Sequence, residues 1–234
     1  MSDAPSTLPR ALFITGTDTD CGKTLVASAL IHAYRRLGLR VVGMKPVASG
    51  SVMQNGVLVN HDVESLTRAA NVELPPDIVN PDIFEPAISP HFAAAEKGVS
   101  IDKGRILSAF KQCQEAADIV IVEGAGGWRV PLGDGLDIAN LAKAMDLPVL
   151  MVTGLRLGCI NHTLLTFDDI QAKGCQVAGW VANLIDENYG FIDQTIASIQ
   201  SEAPAAMLAR VPWLKDPDAE KLAVAIDLTQ LASI

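Results

Sequence analysis

The sequence has few aromatic residues and a shortage of positive charge. Phe, Trp and Tyr together make up 5% of its 234 residues, and 18 Lys and Arg residues stand against 27 Asp and Glu residues, which gives a formal net charge of −9. Such an acidic chain lacks the broad basic surface with which proteins bind nucleic acids or anionic membranes, although a local basic pocket is compatible with any net charge. We therefore expect neither a nucleic-acid partner nor a membrane partner.

Cysteine is scarce too, and its positions show no paired spacing, so we expect reduced thiols at Cys21, Cys113, Cys159 and Cys175. Cys159 and His162 have a C-x-x-H spacing, but no second pair of ligands accompanies them, and we predict no metal site there. Residues 1–10 lack the charged start and apolar core of a signal peptide, and no apolar run approaches membrane-spanning length. These absences predict a cytoplasmic protein.

Hydrophobic residues make up 49% of the chain, enough for a substantial core. Runs of β-favouring apolar residues predict strands at residues 11–14, 40–44, 119–122, 147–153, 177–182 and 209–211. Helical spacing predicts helices at residues 23–37, from His61, and at 92–97, 101–117, 137–145, 161–173, 191–202 and 219–231. With no break in composition and no internal repeat, this alternation predicts a single α/β domain over residues 1–234, with a doubly wound, mainly parallel β-sheet flanked by helices on both faces.

Some connections and helix starts are also predicted. Residues 51–60 are rich in Gly and polar side chains and are predicted to form a loop. Residues 74–90 contain five prolines and are predicted to form a rigid loop, because proline fixes φ. Ser100 and Asn161 are predicted to cap the helices that they precede. The N–H groups beside Asn161 form either an anion-binding helix start or a plain cap.

The most informative stretch is the turn at residues 16–24, GTDTDCGKT, between the first predicted strand and the first predicted helix. A glycine-bounded loop that ends in Gly-Lys-Thr in this context is typical of a phosphate-binding loop, or P-loop. Its N–H groups would bind phosphate, Lys23 would reach the β- and γ-phosphates, and Thr24 would ligate Mg²⁺. Five residues separate Gly16 from Gly22, where the common motif has four, and the alternative is an ordinary turn. The context favours a nucleotide site and a P-loop NTPase type of fold.

Three further polar residues stand where ligands collect in open parallel sheets. Lys45 follows the second strand, and from its position alone it is either part of a site or a solvated lysine at a turn. Asp62 lies in the first turn of a helix, where a carboxylate either binds a metal or only interacts with the helix dipole. Glu123 ends a strand before a glycine-rich turn, and it either partners Mg²⁺ or caps backbone N–H groups.

Taken together, the motifs of this chain resemble the dethiobiotin synthetase family. The segments that carry the resemblance are residues 15–19 with 22–24, 43–50, 89–91, 122–128, 157–162, 179–183 and 212–214. They run in the family's order along nearly the whole chain, and the extra residue between Gly16 and Gly22 is also a feature of that family.

This resemblance implies a reaction of biotin biosynthesis. In that family, 7,8-diaminononanoate, CO₂ and MgATP give dethiobiotin, ADP and phosphate. One amine takes up CO₂ as a carbamate, the carbamate oxygen attacks the γ-phosphate, and the second amine closes the urea ring as phosphate leaves. The resemblance therefore implies an ATP-dependent cyclo-ligase that requires Mg²⁺, and a homodimer with active sites at the subunit interface.

The resemblance also implies roles for individual residues, and it favours site roles for Lys45 and Asp62. Lys23 and Lys45 would act catalytically beside the γ-phosphate and the carbamate. Mg²⁺ would be held directly or through water by Thr24, Asp62 and Glu123. The other ATP-binding residues would be Thr19, Asp20, Cys21, Gly22, Leu25, Gly126, Asn183, Pro212, Trp213 and Leu214. The substrate would contact Ser49 and Gly126 and, from the neighbouring subunit, the helix start at Gly158, Cys159, Ile160 and Asn161.

Two other functions are compatible with a P-loop. A cobyrinic-acid-type amidation enzyme usually carries a glutamine-hydrolysing domain, for which 234 residues leave no room. A partitioning-type or membrane-associated ATPase switch has a loop with a lysine near its start, whereas residues 15–19 contain none, and residues 219–234 form no basic amphipathic tail. Dethiobiotin synthesis is therefore the prediction, with the partitioning-type switch as the alternative.

Overall fold

The structure is a computed structural model that describes residues 8–231. Its strands are β1 (Ala11–Gly16), β2 (Val41–Met44), β3 (Val47–Ala48), β4 (Val52–Gln54), β5 (Val57–Val59), β6 (Asp82–Ile83), β7 (Ile119–Glu123), β8 (Pro131–Gly133), β9 (Leu136–Asp137), β10 (Val149–Leu155), β11 (Val177–Leu184) and β12 (Met207–Val211). Its helices are α1 (Lys23–Arg36), α2 (His61–Ala69), α3 (Pro76–Val79), α4 (Pro90–Glu96), α5 (Lys103–Ala116), α6 (Ile138–Met145), α7 (Cys159–Ala172), α8 (Ile192–Glu202) and α9 (Ala219–Leu222). All six strands predicted from the sequence are present.

Six strands form the central sheet in the order β12-β11-β10-β1-β7-β2, and every neighbouring pair is parallel. β1 lies inside the sheet, where Phe13 is opposite Val122 of β7 and Val149 of β10. Strands of a parallel sheet are buried on both faces, which explains why these segments are almost continuous apolar runs. The predicted doubly wound, mainly parallel α/β fold is confirmed.

The sheet separates two hydrophobic cores. Successive side chains of a strand point to opposite faces, and in β1 Leu12 and Ile14 pack with α1 and α2, whereas Phe13 packs with the core that includes Ile106 of α5 and Phe167 of α7. Helices therefore cover both faces of the sheet, as the alternation of elements predicts.

The order of the strands determines where the loops meet. The chain leaves β1 through α1 to reach β2 at one edge, places β7 between them, and then crosses β1 to add β10, β11 and β12 on the other side. Where strand order changes direction, neighbouring connections diverge and leave a crevice beyond the carboxyl ends of the strands. The registers set Gly16 beside Val152 and Ile14 beside Glu123, so the segments that follow β1, β7 and β10 meet at one edge.

Two segments predicted to be loops contain regular structure. Within residues 51–60, β4 and β5 form an antiparallel hairpin around Asn55 and Gly56, whose φ angles are 52° and 82°. Asn-Gly with both residues in the left-handed region makes the tight turn that matches strand twist, and the sequence prediction overlooked it. Within residues 74–90, α3 and β6 interrupt the proline-rich segment, and β6 pairs with β3.

The segment predicted as one helix over residues 219–231 is broken. α9 is four residues long, a 3₁₀ turn follows it, and Ile226 has an extended backbone with φ −85° and ψ 116°. The N–H of Asp227 then donates to the carbonyl oxygen of Leu208 at 3.0 Å, while its carboxylate accepts from the N–H and the hydroxyl of Thr229. An aspartate that caps a new turn in this way competes with continuation of the helix.

The prediction of a cytoplasmic protein rests on the cysteines and on the lack of membrane-spanning and signal segments. The four cysteines are buried free thiols. Within residues 8–231, no helix has both the length and the apolar character needed to cross a bilayer. Most of the segment 1–10, from which the absence of a signal peptide is predicted, lies outside the described residues.

α5 begins later than predicted. Ser100, the predicted N-cap, lies outside the helix, and the carboxylate of Asp102 accepts from the N–H groups of Gly104 at 2.7 Å and Arg105 at 3.2 Å. The prediction for Ser100 is wrong because an aspartate closer to the first turn satisfies two of its donors.

Asp102→Ala is therefore expected to lower the free energy of unfolding by about 1 kcal/mol, because two N–H groups lose their acceptor. Ser100→Ala serves as the matched control, with an expected change within about 0.5 kcal/mol. Urea unfolding followed by circular dichroism measures both values. Equal losses for the two variants would show that Asp102 is not the cap.

Candidate functional site

The loop between β1 and α1 is shaped to surround an anion. Asp20, with φ 60°, and Gly22, with φ 95°, both adopt left-handed backbone, and α1 begins directly afterwards at Lys23. Among the described residues, no side chain caps α1 and no acidic residue lies in its first turn. The N–H groups of that turn and the positive end of the helix dipole are therefore available to a phosphate.

Asn183, near the end of β11, supports this loop. Its Nδ2 donates to the carbonyl oxygen of Cys21 at 2.8 Å. A Cβ added to Gly22 would lie 2.1 Å from the same nitrogen, so no larger residue fits at position 22 without displacing Asn183. The resemblance implied only a contact of Asn183 with adenine, and no pattern in the sequence indicated this contact with the loop.

The side chain of Lys23 is buried and turns back onto the loop. Its Nζ donates to the carbonyl oxygen of Asp18 at 2.7 Å and lies 3.8 Å from Sγ of Cys21. The carboxylate of Asp18 in turn pairs with Arg156, between β10 and α7. A phosphate in the loop would offer Lys23 a charged partner in place of a neutral carbonyl, and hydrogen bonds between charged groups are the stronger kind.

Cys21 fills the space underneath the loop. A Cβ on Gly16 would lie 2.2 Å from Sγ of Cys21, and a Cβ on Gly154 would lie 3.1 Å from Cβ of Cys21. Burial raises the pKa of the Cys21 thiol. The thiol is therefore protonated at neutral pH and behaves as a small apolar side chain.

A cluster of four side chains, Thr24, Lys45, Asp62 and Glu123, lies directly beside the loop. Nζ of Lys45 is 2.6 Å from Oδ2 of Asp62 and 2.7 Å from Oε1 of Glu123. The hydroxyl of Thr24 donates to the same oxygen of Glu123 at 2.9 Å. We call these four residues the lysine–acid cluster. It combines side chains from α1, α2, the end of β7 and the residue that follows β2.

These contacts distinguish between the alternatives that the sequence left open. Lys45 is 5% exposed, so it is not a solvated lysine. Asp62 binds Lys45 instead of interacting only with the helix dipole, and Asn60 caps α2. Glu123 is fully buried and accepts hydrogen bonds from two side chains, Thr24 and Lys45. The roles of these residues toward a ligand stay predictions.

The charges of the lysine–acid cluster stabilise one another. Burial favours the neutral amine of Lys45, but the attraction of Glu123 and Asp62 outweighs it and raises the pKa of Lys45. Burial also opposes ionisation of Asp62, yet the charge and hydrogen bond of Lys45 lower the pKa of that carboxyl. Oε2 of Glu123 is buried and has no hydrogen-bond partner among the described residues.

This set of donors fits a Mg²⁺ ion. Mg²⁺ prefers oxygen ligands and in nucleotide sites takes one or two carboxylates from the protein, the other ligands being phosphates and water. Thr24, Asp62 and Glu123 supply such oxygens, and Oε2 of Glu123 is left for a cation. Within residues 8–231, no group of three or more His, Cys, Asp or Glu side chains forms a metal cage.

The turn after β7 packs against the P-loop. Gly126 has φ 62°, and a Cβ there would lie 3.6 Å from Oγ1 of Thr19. Trp128 contacts Phe13 of β1 edge-on, with 6.5 Å between ring centroids, and its Nε1 donates to Asp169 of α7 at 2.9 Å. A Cβ on Gly127 would likewise lie 3.4 Å from the carbonyl oxygen of Thr17, so this glycine turn lies directly against the P-loop backbone.

Other predicted nucleotide and substrate residues surround this centre. Pro212, Trp213 and Leu214 are exposed and follow β12, whose last residue is opposite Asn183 in the sheet. A cavity of about 650 Å³ begins at Thr24 and Leu25 and is lined further by α1, α2 and residues 217–220. Ser49 lies half-buried after β3, and its carbonyl oxygen accepts from Nδ2 of Asn60 at 3.3 Å.

The start of α7 forms a separate feature. The predicted N-cap, Asn161, is inside the first turn, because the helix begins at Cys159 after Gly158, which has φ 93°. In the part of the chain that the structure describes, no side chain caps this start, no acidic residue lies in its first turn, and no hydrogen bond joins it to the lysine–acid cluster. The N–H of Cys159 donates to the carbonyl oxygen of Arg156 at 3.1 Å, which leaves the N–H groups of Ile160 and Asn161 for an anion.

The similarity of this chain to known proteins agrees with the geometry. A family model described as an AAA domain matches residues 10–221. Solved structures with a similar fold include a ParA family ATPase from Chlorobium tepidum TLS (TM-score 0.53, 14% identity, 96% of this chain and 95% of that chain covered). They also include the MinC:MinD cell division protein complex of Aquifex aeolicus (TM-score 0.57, 14% identity, 96% of this chain and 95% of that chain covered). A third is MinD with Mg-ADP from Pyrococcus horikoshii OT3 (TM-score 0.51, 17% identity, 95% of this chain and 94% of that chain covered). At these identities the structures show the fold alone, and with the family match they confirm a P-loop NTPase type.

The close contact between Gly22 and Asn183 can be tested by comparing two glycines that both have left-handed backbone conformations. Gly22→Ala is expected to weaken binding of MgATP by at least about tenfold, because a methyl group would push Asn183 away and strain the loop. Gly38, which follows α1, has φ 79° and open space around it, so Gly38→Ala introduces the backbone strain alone and is expected to leave nucleotide affinity unchanged. Isothermal titration calorimetry measures both affinities, and equal affinities for the two variants would contradict this role of the contact.

Proposed function

Since the chain belongs to the AAA_26 family of AAA domains, we propose that it is a dethiobiotin synthetase, an ATP-dependent cyclo-ligase of biotin biosynthesis. That family is also the one to which dethiobiotin synthetase belongs. The reaction would join 7,8-diaminononanoate and CO₂ at the expense of ATP, which gives dethiobiotin, ADP and phosphate. The motifs that resemble the synthetases extend from residues 15–19 to residues 212–214, and so support the assignment over nearly the whole chain.

The observation that carries the proposal is the position of Lys45 beside Thr24, the residue that follows the P-loop lysine. A carbamate and the γ-phosphate of ATP are both anions, and they must approach each other for a phosphoryl group to be transferred. Nζ of Lys23 contacts the loop, and Lys45 and Thr24 share Oε1 of Glu123, so both ammonium groups would be near a phosphate bound at the start of α1. Fixed positive charge at the transferred phosphoryl group is the main form of catalysis in such reactions.

The residues of this chain would divide the work of binding ATP. The N–H groups of the P-loop and of the start of α1 would hold the phosphates, and Thr24, Asp62 and Glu123 would hold Mg²⁺. Mg²⁺ when bound supplies charge neutralisation on the phosphate oxygens. Thr19, Asp20, Cys21, Leu25 and Gly126 would line the phosphates, whereas Asn183, Pro212, Trp213 and Leu214 would border the adenine.

Synthesis would then proceed in three steps. One substrate amine adds to CO₂ and loses a proton, which gives a carbamate. A carbamate oxygen displaces ADP from the γ-phosphorus of ATP, with Lys45 and Lys23 compensating the charge on the transferred group. The second amine attacks the activated carbonyl carbon and loses a proton, and the C–O bond to phosphate breaks as the five-membered urea ring closes, so that phosphate leaves. Phosphorylation is required because an unmodified carbamate has no good leaving group.

The substrate would be held at both ends. Ser49 and Gly126 would contact the diamine or carbamate end, beside the lysine–acid cluster. The far carboxylate would bind the uncapped start of α7, at Gly158, Cys159, Ile160 and Asn161, because free N–H groups at a helix start attract anions. We propose, from the resemblance to the synthetases, that this start belongs to the neighbouring subunit of a homodimer.

A second candidate function is a partitioning-type ATPase switch, which the ParA and MinD structures favour. Such a protein would bind and hydrolyse ATP and bind protein partners, without making a metabolite. Against it stands the segment TGTDT at residues 15–19, which lacks the lysine that a switch of this type carries near the start of its loop. The two candidates differ in whether phosphate release depends on a small-molecule substrate.

We expect the purified protein to release phosphate from MgATP only when 7,8-diaminononanoate and bicarbonate are both present, because the phosphoryl acceptor forms only from the two together. A coupled phosphate assay with each component omitted in turn measures this dependence, and mass spectrometry of the product identifies dethiobiotin. Hydrolysis at a similar rate without the diamine would instead support the switch.

Lys45→Gln is expected to reduce turnover by at least about a hundredfold while ATP still binds, since the variant removes charge at the reacting phosphoryl group and leaves the P-loop intact. Lys111→Gln is the matched control, because Lys111 is exposed and pairs only loosely with Glu115 at 3.9 Å. Steady-state rates and nucleotide titrations compare the two variants with the unmodified protein. Retained turnover in Lys45→Gln would remove Lys45 from the catalytic role.

A further inference from the structure

Lys45 is held by the same two carboxylates that would bind a metal. Its Nζ contacts Oδ2 of Asp62 at 2.6 Å and Oε1 of Glu123 at 2.7 Å. The hydroxyl of Thr24 contacts that same Oε1 at 2.9 Å. These are the donors of the predicted Mg²⁺ site, so the ammonium group already supplies the positive charge that the two carboxylates require.

We infer that Lys45 and a divalent cation compete for Glu123 and Asp62, so that the cation binds tightly only with a nucleotide whose phosphates take over Lys45. This inference shares one assumption with the proposed function: a nucleotide and a divalent cation bind at the P-loop. It applies equally to a synthetase and to an ATPase switch.

Like charges at short range explain the competition. An ion coordinated by Thr24 and by either oxygen of Glu123 would lie about 2 Å from those oxygens, and therefore only a few ångströms from Nζ of Lys45, which contacts Oε1 of the same carboxylate. Lys45 is 5% exposed and Glu123 is fully buried, so little water is present to screen the repulsion. Either the cation stays out or the ammonium group moves.

A nucleotide removes this conflict. Its terminal phosphates would lie at the start of α1, next to Thr24, and would offer Lys45 charged acceptors in exchange for the carboxylates. Lys23 would also gain a charged acceptor, because in this structure it donates to the neutral carbonyl oxygen of Asp18. Cation and nucleotide would therefore raise each other's affinity, and such coupling between two ligands is reciprocal. Lys45 would reach the phosphoryl group only when a cation has replaced it on Glu123.

The test measures binding of Mn²⁺ to the whole protein by electron paramagnetic resonance, which reports the free ion. Without nucleotide, the unmodified protein is expected to bind Mn²⁺ weakly. Lys45→Met removes the competing charge and is expected to bind Mn²⁺ without nucleotide about 5- to 150-fold more tightly, the usual range for coupled sites. Lys45→Arg keeps a cation at this position and is expected to resemble the unmodified protein.

Two further variants keep the result interpretable. Lys45→Gln also removes the charge but retains a donor for Glu123, so it serves if Lys45→Met folds poorly, which circular dichroism detects. In Lys45→Gln combined with Glu123→Gln, the added Mn²⁺ affinity is expected to disappear, which assigns the ion to this site. An affinity in both neutral variants equal to that of the unmodified protein would overturn the inference.

A separate measurement distinguishes failure of the inference from failure of the proposed function. Mn²⁺ binding is repeated with a non-hydrolysable ATP analogue, after subtraction of the Mn²⁺ that the analogue binds without protein. Suppose that the unmodified protein binds Mn²⁺ tightly with the analogue, while the neutral variants bind Mn²⁺ no more tightly than the unmodified protein without nucleotide. These two results together would reject the competition and leave the nucleotide site intact. No binding even with the analogue would reject both.

Discussion

The ion pair between Lys45 and Glu123 is the contact on which the arrangement of the site depends. Glu123 is fully buried at the end of β7, and a carboxylate in such a place requires a positive partner because its desolvation is very unfavourable. Lys45 comes from the end of the neighbouring strand β2, so the pair joins two strand ends, and Asp62 adds α2 to them. Buried ion pairs contribute little net stability compared with apolar residues. The pair is therefore better explained by the chemistry of the crevice than by folding.

Six of the nine α-helices in the described part of the chain fall into two groups by the way they begin. α2, α5, α6 and α9 start with Asn60, Asp102, Asp137 and Asp218, whose side chains accept hydrogen bonds from the first turn. α1 and α7 start instead after left-handed glycines, with no cap among the described side chains and no acid in the first turn. In the first group the polypeptide satisfies its own donors, whereas in the second those donors are left for anions. Both starts of the second kind lie in motifs of the resemblance.

Much of this could be predicted from the sequence, because the decisive patterns are local. Apolar runs and helical spacing give the parallel sheet, and carboxyl ends of parallel strands meet at one edge, which brings Lys45 and Glu123 together. The hydrogen bond from Asn183 to Cys21 could not be predicted, since it joins residues 162 positions apart and depends on strand order. The Asn55-Gly56 hairpin was accessible in principle, as the turn carries its own signal. The break at Ile226 depends on a long-range bond between Asp227 and Leu208.

The buried thiol of Cys21 could serve as a chemical probe of movement in the P-loop. Sγ fits between Gly16 and the backbone of the loop, and the side chain is fully buried, so a thiol reagent reaches it only while the loop is open. Because burial raises the pKa of the thiol, the closed state is also chemically inert. We therefore expect alkylation at this position to require movement of the loop, and a bound nucleotide to slow it.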